Sequence, residues 1–193
     1  MHVGAPPLPG LSFCTRFMAG LALLTALAAL AGHPIAGSAA RAAEPLVGAE
    51  TGLPLPRFVS LKAGKVNVRV GPSRSHPVLW VYQRKGLPIE IVAEFEHWRR
   101  IRDADGDIGW VHQSLLDGAR TALVTGESPA DTQTVSLYAL PDSASTVVAA
   151  AEPGVVAELA ACRVRWCQVS AGGYTGWTQK SHLWGSYADE TFE

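Results

Sequence analysis

The sequence predicts an all-β protein of two tandem small β-barrels behind a cleaved signal peptide, and three observations carry that prediction. Residues 65–116 and 134–184 repeat one pattern, each closing on a Trp, a Gly-Trp pair and a leucine: Trp98, Gly109-Trp110 and Leu116, then Trp166, Gly176-Trp177 and Leu183. The intervals are 12 and 6 residues in the first copy and 11 and 6 in the second. A repeat of this length sets the architecture before any strand is assigned. Second, both copies alternate apolar and polar residues between Gly and Pro breaks, and almost nothing in them reads as a helix. Third, an apolar segment near the amino terminus is too short to cross a membrane.

That segment, Phe17 to Ala31, has 15 residues, follows Arg16 and is stopped by Gly32-His33-Pro34. Ala40-Arg41-Ala42 fits the small-x-small rule of signal peptidase, so residues 1–42 read as a secretory signal cut after Ala42. A membrane span needs about 20 apolar residues, so no transmembrane anchor is expected in the mature chain. Cys14 lies ahead of the apolar run rather than after it, which argues against a lipoprotein. The expected location is periplasmic or secreted.

Residues 43–56 are spaced by Pro45, Gly48, Gly52, Pro54 and Pro56 and read as an extended leader, a stiff linker rather than a ligand. Residues 57–120 form the first domain. In it Val66, Val68 and Val70 alternate with Asn67 and Arg69 as a half-buried strand, and Gly71-Pro72-Ser73 breaks it. Val78 to Tyr82 is a β-branched and aromatic run, Lys85-Gly86 turns, and Pro88 to Phe95 carries Ile89 and Ile91 on one face. Trp98 to Arg102 and Ile108 to His112 flank Asp105-Gly106, a hairpin turn. Gln113 to Leu116 reads as a single helical turn.

Residues 121–193 form the second domain. Val135-Ser136-Leu137, the break at Pro141, the run from Val147, Gly154, a Cys hairpin, Gly172-Gly173, Trp177 and Ser181 to Leu183 follow the same order. Five short strands with tight turns in such a span predict a small closed barrel.

Cys162 and Cys167 are an even pair in an exported chain. They bracket a tight turn, where facing positions of a ladder stand at disulfide distance. The second copy holds nine alanines in residues 134–184 against two in residues 65–116, so its core is thinner and gains more from the crosslink. Charge is divided unevenly. Residues 57–120 carry 11 basic and 7 acidic side chains, residues 121–193 carry 3 and 8. Opposite signs favour contact between the copies or an acidic partner for the first. The basic excess is small and the chain is directed out of the cytoplasm, so nucleic acid is not an expected partner.

The order Asn67-Val68-Arg69, Gly71-Pro72-Ser73, Trp98, Ile101, Gly106, Gly109-Trp110-Val111 and Leu116 resembles the bacterial SH3-like (SH3b) family. The resemblance covers residues 57–117 closely and residues 134–184 more loosely, where Leu137-Tyr138 replaces Val-Arg and Thr178 replaces Val. It implies two tandem SH3-like barrels and a non-catalytic binding module, with peptidoglycan (muropeptide) or a protein segment as ligand. By resemblance, Trp98 sits where SH3 domains carry the Trp of their ligand groove, and His112 and Leu115 fall where that groove has Pro and Tyr. Trp166 and Gln179 occupy the matching places in the second copy.

The residues themselves point the same way. No G-x-S-x-G or H-E-x-x-H occurs. His76, His97, His112 and His182 are scattered singly, and Asp103 to Asp107 lacks the Gly and Glu spacing of a calcium loop. No catalytic residue, metal ligand or cofactor is therefore predicted. Trp98 and Ile101 fall on opposite strand faces. With Ile101 in the core, Trp98 faces outward, and such a ring covers a ligand, its own loops or the other copy. Trp80, Tyr82 and Arg84 form a second candidate surface of hot-spot composition, open equally to a partner or to the second copy, where Ala149 and Ala151 stand at the matching positions. Two functions follow: a module binding cell wall or peptide, or an assembly protein docking onto an envelope protein. An enzyme such as a cell-wall hydrolase is the least supported.

Overall fold

A computed structural model describes residues 46–126 and 133–193. The signal-peptide reading lies outside the described residues. Among them no helix is long and apolar enough to cross a membrane.

The first sheet contains β1 (Arg57–Leu61), β2 (Val66–Arg69), β3 (Val78–Tyr82), β4 (Pro88–Phe95), β5 (Trp98–Arg102), β6 (Ile108–His112) and β7 (Leu116–Asp117). The second contains β8 (Thr121–Val124), β9 (Val135–Tyr138), β10 (Val147–Ala151), β11 (Val156–Cys162), β12 (Trp166–Ala171), β13 (Tyr174–Gln179) and β14 (Leu183–Trp184). Their orders are β3-β2-β6-β5-β4-β1-β7 and β10-β9-β13-β12-β11-β8-β14, one topology written twice. A single 3-10 turn precedes the last strand of each, Gln113–Leu115 and Lys180–His182. Two strands per copy exceed the expected five. β1 and β8 precede the repeated pattern, and β7 and β14 are only two residues long.

Each sheet coils around its own core. Leu61, Val66, Val68, Ile89, Ile91, Ile101 and Val111 fill the first. Ala122, Val124, Leu137, Ala157, Leu159, Val169 and the two half-cystines are among those filling the second. The strands alternate because period two sends every second side chain inward, as in the buried-exposed-buried run of Val66, Asn67 and Val68. The Gly-Trp pair has a packing cause. A Cβ at Gly109 would stand 2.3 Å from Val68 Cγ1, and one at Gly176 would stand 2.8 Å from Val148 Cγ2 and 2.9 Å from Leu137 Cβ. Only glycine lets these strands cross so closely. Cys162 and Cys167 face each other across the β11–β12 ladder and are joined by a disulfide.

Three expectations change. The leader does not run extended. Val47 bridges Pro54, and Gly48 N donates to Leu53 O at 2.8 Å, so residues 46–55 fold back as a hook. The Glu94 carboxylate holds it, accepting from the backbone N–H of Glu50 and Thr51, the Thr51 hydroxyl and Arg57 at 2.6–3.0 Å. Second, Trp80 and Tyr82 pack against the first core rather than forming a free outward surface. They pair across the ladder with the buried Val68 and Val66 and so share their inward face. The Tyr82 hydroxyl donates to Asp103 Oδ2 at 2.6 Å. Arg84 alone of that trio reaches the other copy, donating to Gly154 O at 2.6 Å.

Third, the chain from β14 onward wraps back over both barrels. Phe58 of β1 meets Trp184 edge-on at 5.0 Å and Tyr187 at 4.8 Å between ring centres. Glu190 pairs with Arg120, and Phe192 bridges Cys162. Thr121 Oγ1 also donates to Gly86 O at 2.8 Å. The expected contact between copies exists, but this aromatic tail makes much of it.

Candidate functional site

The cleft of the first barrel is built on the outward face of β2, the start of β5 and the end of β6. Period two turns Val66 and Val68 inward, which puts Lys65, Asn67 and Arg69 on the opposite face of the same stretch. Trp98 opens β5 opposite His112, which ends β6, because the two are ladder partners. Their rings meet edge-on at 5.4 Å. His112 then caps the 3-10 turn, its Nδ1 accepting the Ser114 backbone N–H at 3.3 Å, and that turn delivers Ser114 and Leu115 to the rim. The result is an open cleft of about 470 Å³ walled by Trp98, His112, Leu115, Lys65, Arg69 and Arg74, with Asn67 and Ser114 completing it.

Trp98 lies outside the core cluster, as its opposition to Ile101 requires, yet it is only 8% exposed. The ring therefore forms a wall of the cleft and does not project from the surface.

The turn beneath it is braced by Arg99, a buried cation on the Ile101 face. Its guanidinium donates to Glu96 O at 2.8 Å, Trp98 O at 2.9 Å and Gln113 Oε1 at 2.5 Å, and stands 3.5 Å from Glu94. It ties the β4–β5 turn, where Glu96 has φ of 48°, to the 3-10 turn carrying Leu115. A buried charge with this many acceptors is satisfied in place and holds both rims at one spacing. The His112 imidazole is held below its ordinary pKa, first by burial and then by its neighbours Arg74, His97 and Arg99. The backbone donor at Nδ1 also selects the neutral ring, with its proton on Nε2.

Of the residues singled out in the sequence, Trp98, His112 and Leu115 come together here. Trp80 and Tyr82 do not line the cleft. Trp166 sits at the equivalent point of the second barrel, paired with Gln179 and covered edge-on by Tyr138 at 5.7 Å. The cleft beside it is lined by Gln133, Thr134, Ser136, Tyr138, Gln179 and His182, among others. Lys65, Arg69 and Arg74 were not singled out. The alternation around Val66 and Val68 marked the outward face of Lys65 and Arg69, whereas nothing local marked Arg74.

The second barrel holds a further hollow of about 300 Å³ against Leu137, Ala149, Ala151, Val155 and Tyr174. It lies where the first barrel seats Trp80 and Tyr82 on the equivalent strand. Among the described residues no group of three or more His, Cys, Asp or Glu is placed to hold a metal ion.

A family model described as bacterial SH3 domain matches residues 62–118 and again 131–185. Among solved structures the chain is similar to NlpC2 from Trichomonas vaginalis, at 12% identity over 67% of this chain and 48% of that one, with a TM-score of 0.30. It is also similar to NlpC1 from the same organism, at 11% identity over 71% and 48%, TM-score 0.31. A third is an NlpC/P60 family protein from Bacillus cereus ATCC 10987, at 11% identity over 65% and 55%, TM-score 0.29. The chain spans about half the length of these structures. No curated protein matches it.

Proposed function

We propose that this chain, which belongs to the bacterial SH3 domain family in two tandem copies, is an exported, non-catalytic binding module that holds a cell-wall muropeptide or a peptide segment in the cleft of its first barrel. The observation that carries the reading is the convergence of Trp98, His112 and Leu115, 14 and 17 positions apart in the chain, on one cleft of about 470 Å³. An aromatic wall with a few polar groups at fixed spacing is how small peptide ligands are oriented. Export is supported by the apolar run Phe17 to Ala31 and by a disulfide of the kind that persists outside the cytoplasm.

The test is retention of the full chain on purified sacculi beside a Trp98→Ala variant. Retention lost with Trp98 is the expected result. Equal retention of both proteins overturns the cleft assignment, and release of fragments from labelled wall overturns the non-catalytic reading. The mature amino terminus, read on protein from the exported fraction, is expected at Ala43.

A second reading, docking onto an envelope protein, is favoured by the edge strands. β3 and β10 end their sheets and expose Val78, Leu79, Val147 and Val148. Unpaired edges of this composition accept an added strand. Envelope proteins recovered with a chain that sacculi do not retain would favour it.

A further inference from the structure

We propose that the first barrel's cleft selects a peptide through its free carboxylates, and that the matching cleft of the second barrel does not. The proposal rests on the functional reading above and names the chemistry of its ligand. Lys65, Arg69 and Arg74 line the cleft with His112, and no Asp or Glu lines it. Arg69 is engaged, donating to His76 O at 2.6 Å. The Lys65 ammonium and the Arg74 guanidinium make no hydrogen bond or ion pair among the described residues. The acidic groups of this barrel that form ion pairs are committed elsewhere, Glu94 to Arg57 and Arg99, and Glu90 to Arg102. Cations gathered in a concave site without counter-charge repel one another and raise the local potential for an anion. The depressed basicity of His112, caused partly by Arg74, is that potential acting on a neighbour.

The second barrel is an internal control. It has the same topology, the same ladder pairs and the same 3-10 turn. At the positions of Lys65, Arg69, Arg74 and His112 it carries Thr134, Tyr138, Ser143 and Gln179. The barrel therefore folds without these charges, and nothing in its architecture calls for them. What they add is charge complementarity to an acidic occupant. Arg74 presents a planar fork suited to a carboxylate, Lys65 a mobile point charge, and Trp98 an apolar wall for the peptide between them.

The experiment is calorimetric titration of the full chain with the soluble disaccharide-pentapeptide released from sacculi, and with the same compound after its carboxylates are converted to methyl amides. Arg74→Gln and Lys65→Gln are expected to weaken binding of the acid form by about tenfold or more each, the scale of a charge-assisted hydrogen bond. Amidation is expected to cost at least as much, and added sodium chloride to weaken the acid form progressively. Thr134→Ala and Ser143→Ala are expected to change nothing. Both charge variants alter open surface, and circular dichroism checks their fold.

Equal affinity for acid and amide, unchanged in the charge variants but lost in Trp98→Ala and kept in Trp98→Phe, overturns the carboxylate selectivity and leaves the cleft reading standing. Absence of binding by either compound overturns the carboxylate selectivity together with the muropeptide form of the cleft reading.

Discussion

The Tyr187 hydroxyl donates to Glu90 Oε1 at 2.8 Å across 97 positions of sequence, joining the segment after β14 to strand β4 of the other sheet. Glu90 is almost fully buried, and its second oxygen takes Arg102 Nε at 2.8 Å. Burial and then this carboxylate neighbour raise the Tyr187 phenol well above its ordinary pKa, so it remains a donor throughout the physiological range. With Phe58 held edge-on to Trp184 and tilted against Tyr187, the tail joins the two barrels, and they are expected to unfold together.

Tyr187→Phe keeps the ring and removes the donor to a buried carboxylate. The expected loss is about 1.5–3 kcal/mol, read by urea denaturation. A chain ended at Trp184 is expected to show two separate transitions where the full chain shows one.

Glu94 predicts an acid-sensitive hook. Burial alone would raise its pKa. The hydrogen bonds from Arg57, Thr51 and the Glu50 and Thr51 backbone overcome burial and bring it to about 2 from an ordinary 4.5. A carboxylate with a depressed folded-state pKa contributes stability in full above the unfolded value and loses it as pH falls toward the folded one. Thermal stability is therefore expected to fall between pH 4.5 and pH 2, with protease cutting within residues 46–55 appearing first. Glu94→Gln is expected to flatten that part of the pH profile and to cost about 1.5–3 kcal/mol at neutral pH, since it removes the charge that Arg57 donates to.

Cys162 and Cys167 are both buried, and their bond closes a short loop in the barrel with the thinner core. Replacing both by Ala is expected to lower stability by about 2 kcal/mol, with hydrogen exchange rising in β11 and β12 and little changed in β4 and β5.

Thr178 occupies a fully buried position, and its hydroxyl finds no hydrogen-bond partner among the described residues. In the first copy Val111 fills the equivalent place. Thr178→Val keeps the shape and removes a buried polar group, so a gain of about 1 kcal/mol is expected, visible as a raised midpoint in the same denaturation series.

The site was half legible in the sequence. Trp98 was marked by its place in the repeated pattern and by its opposition to Ile101, and His112 and Leu115 only by the resemblance to an SH3 ligand groove. Lys65 and Arg69 were visible only as the polar half of an alternating strand, a role most such residues fill by facing water. Arg74 lies in the loop after β2, and no spacing rule carries that loop across the barrel mouth toward His112. Trp80 and Tyr82 misled because an aromatic pair on one strand face has the same composition whether the face is inward or outward. Their ladder partners Val66 and Val68 decided it.

The sequence by itself determined what is local or repeated: the duplication, the alternating strands, the turns at Lys85-Gly86 and Gly172-Gly173, and the crosslink between facing cysteines. These depend on backbone geometry over a few residues, and the second copy checks the first. The tertiary structure alone decided the Glu94 hook, the tail around Phe58 and the cation-lined cleft. Each joins segments far apart in the chain, and such contacts leave no periodic trace because they arise where two finished surfaces meet.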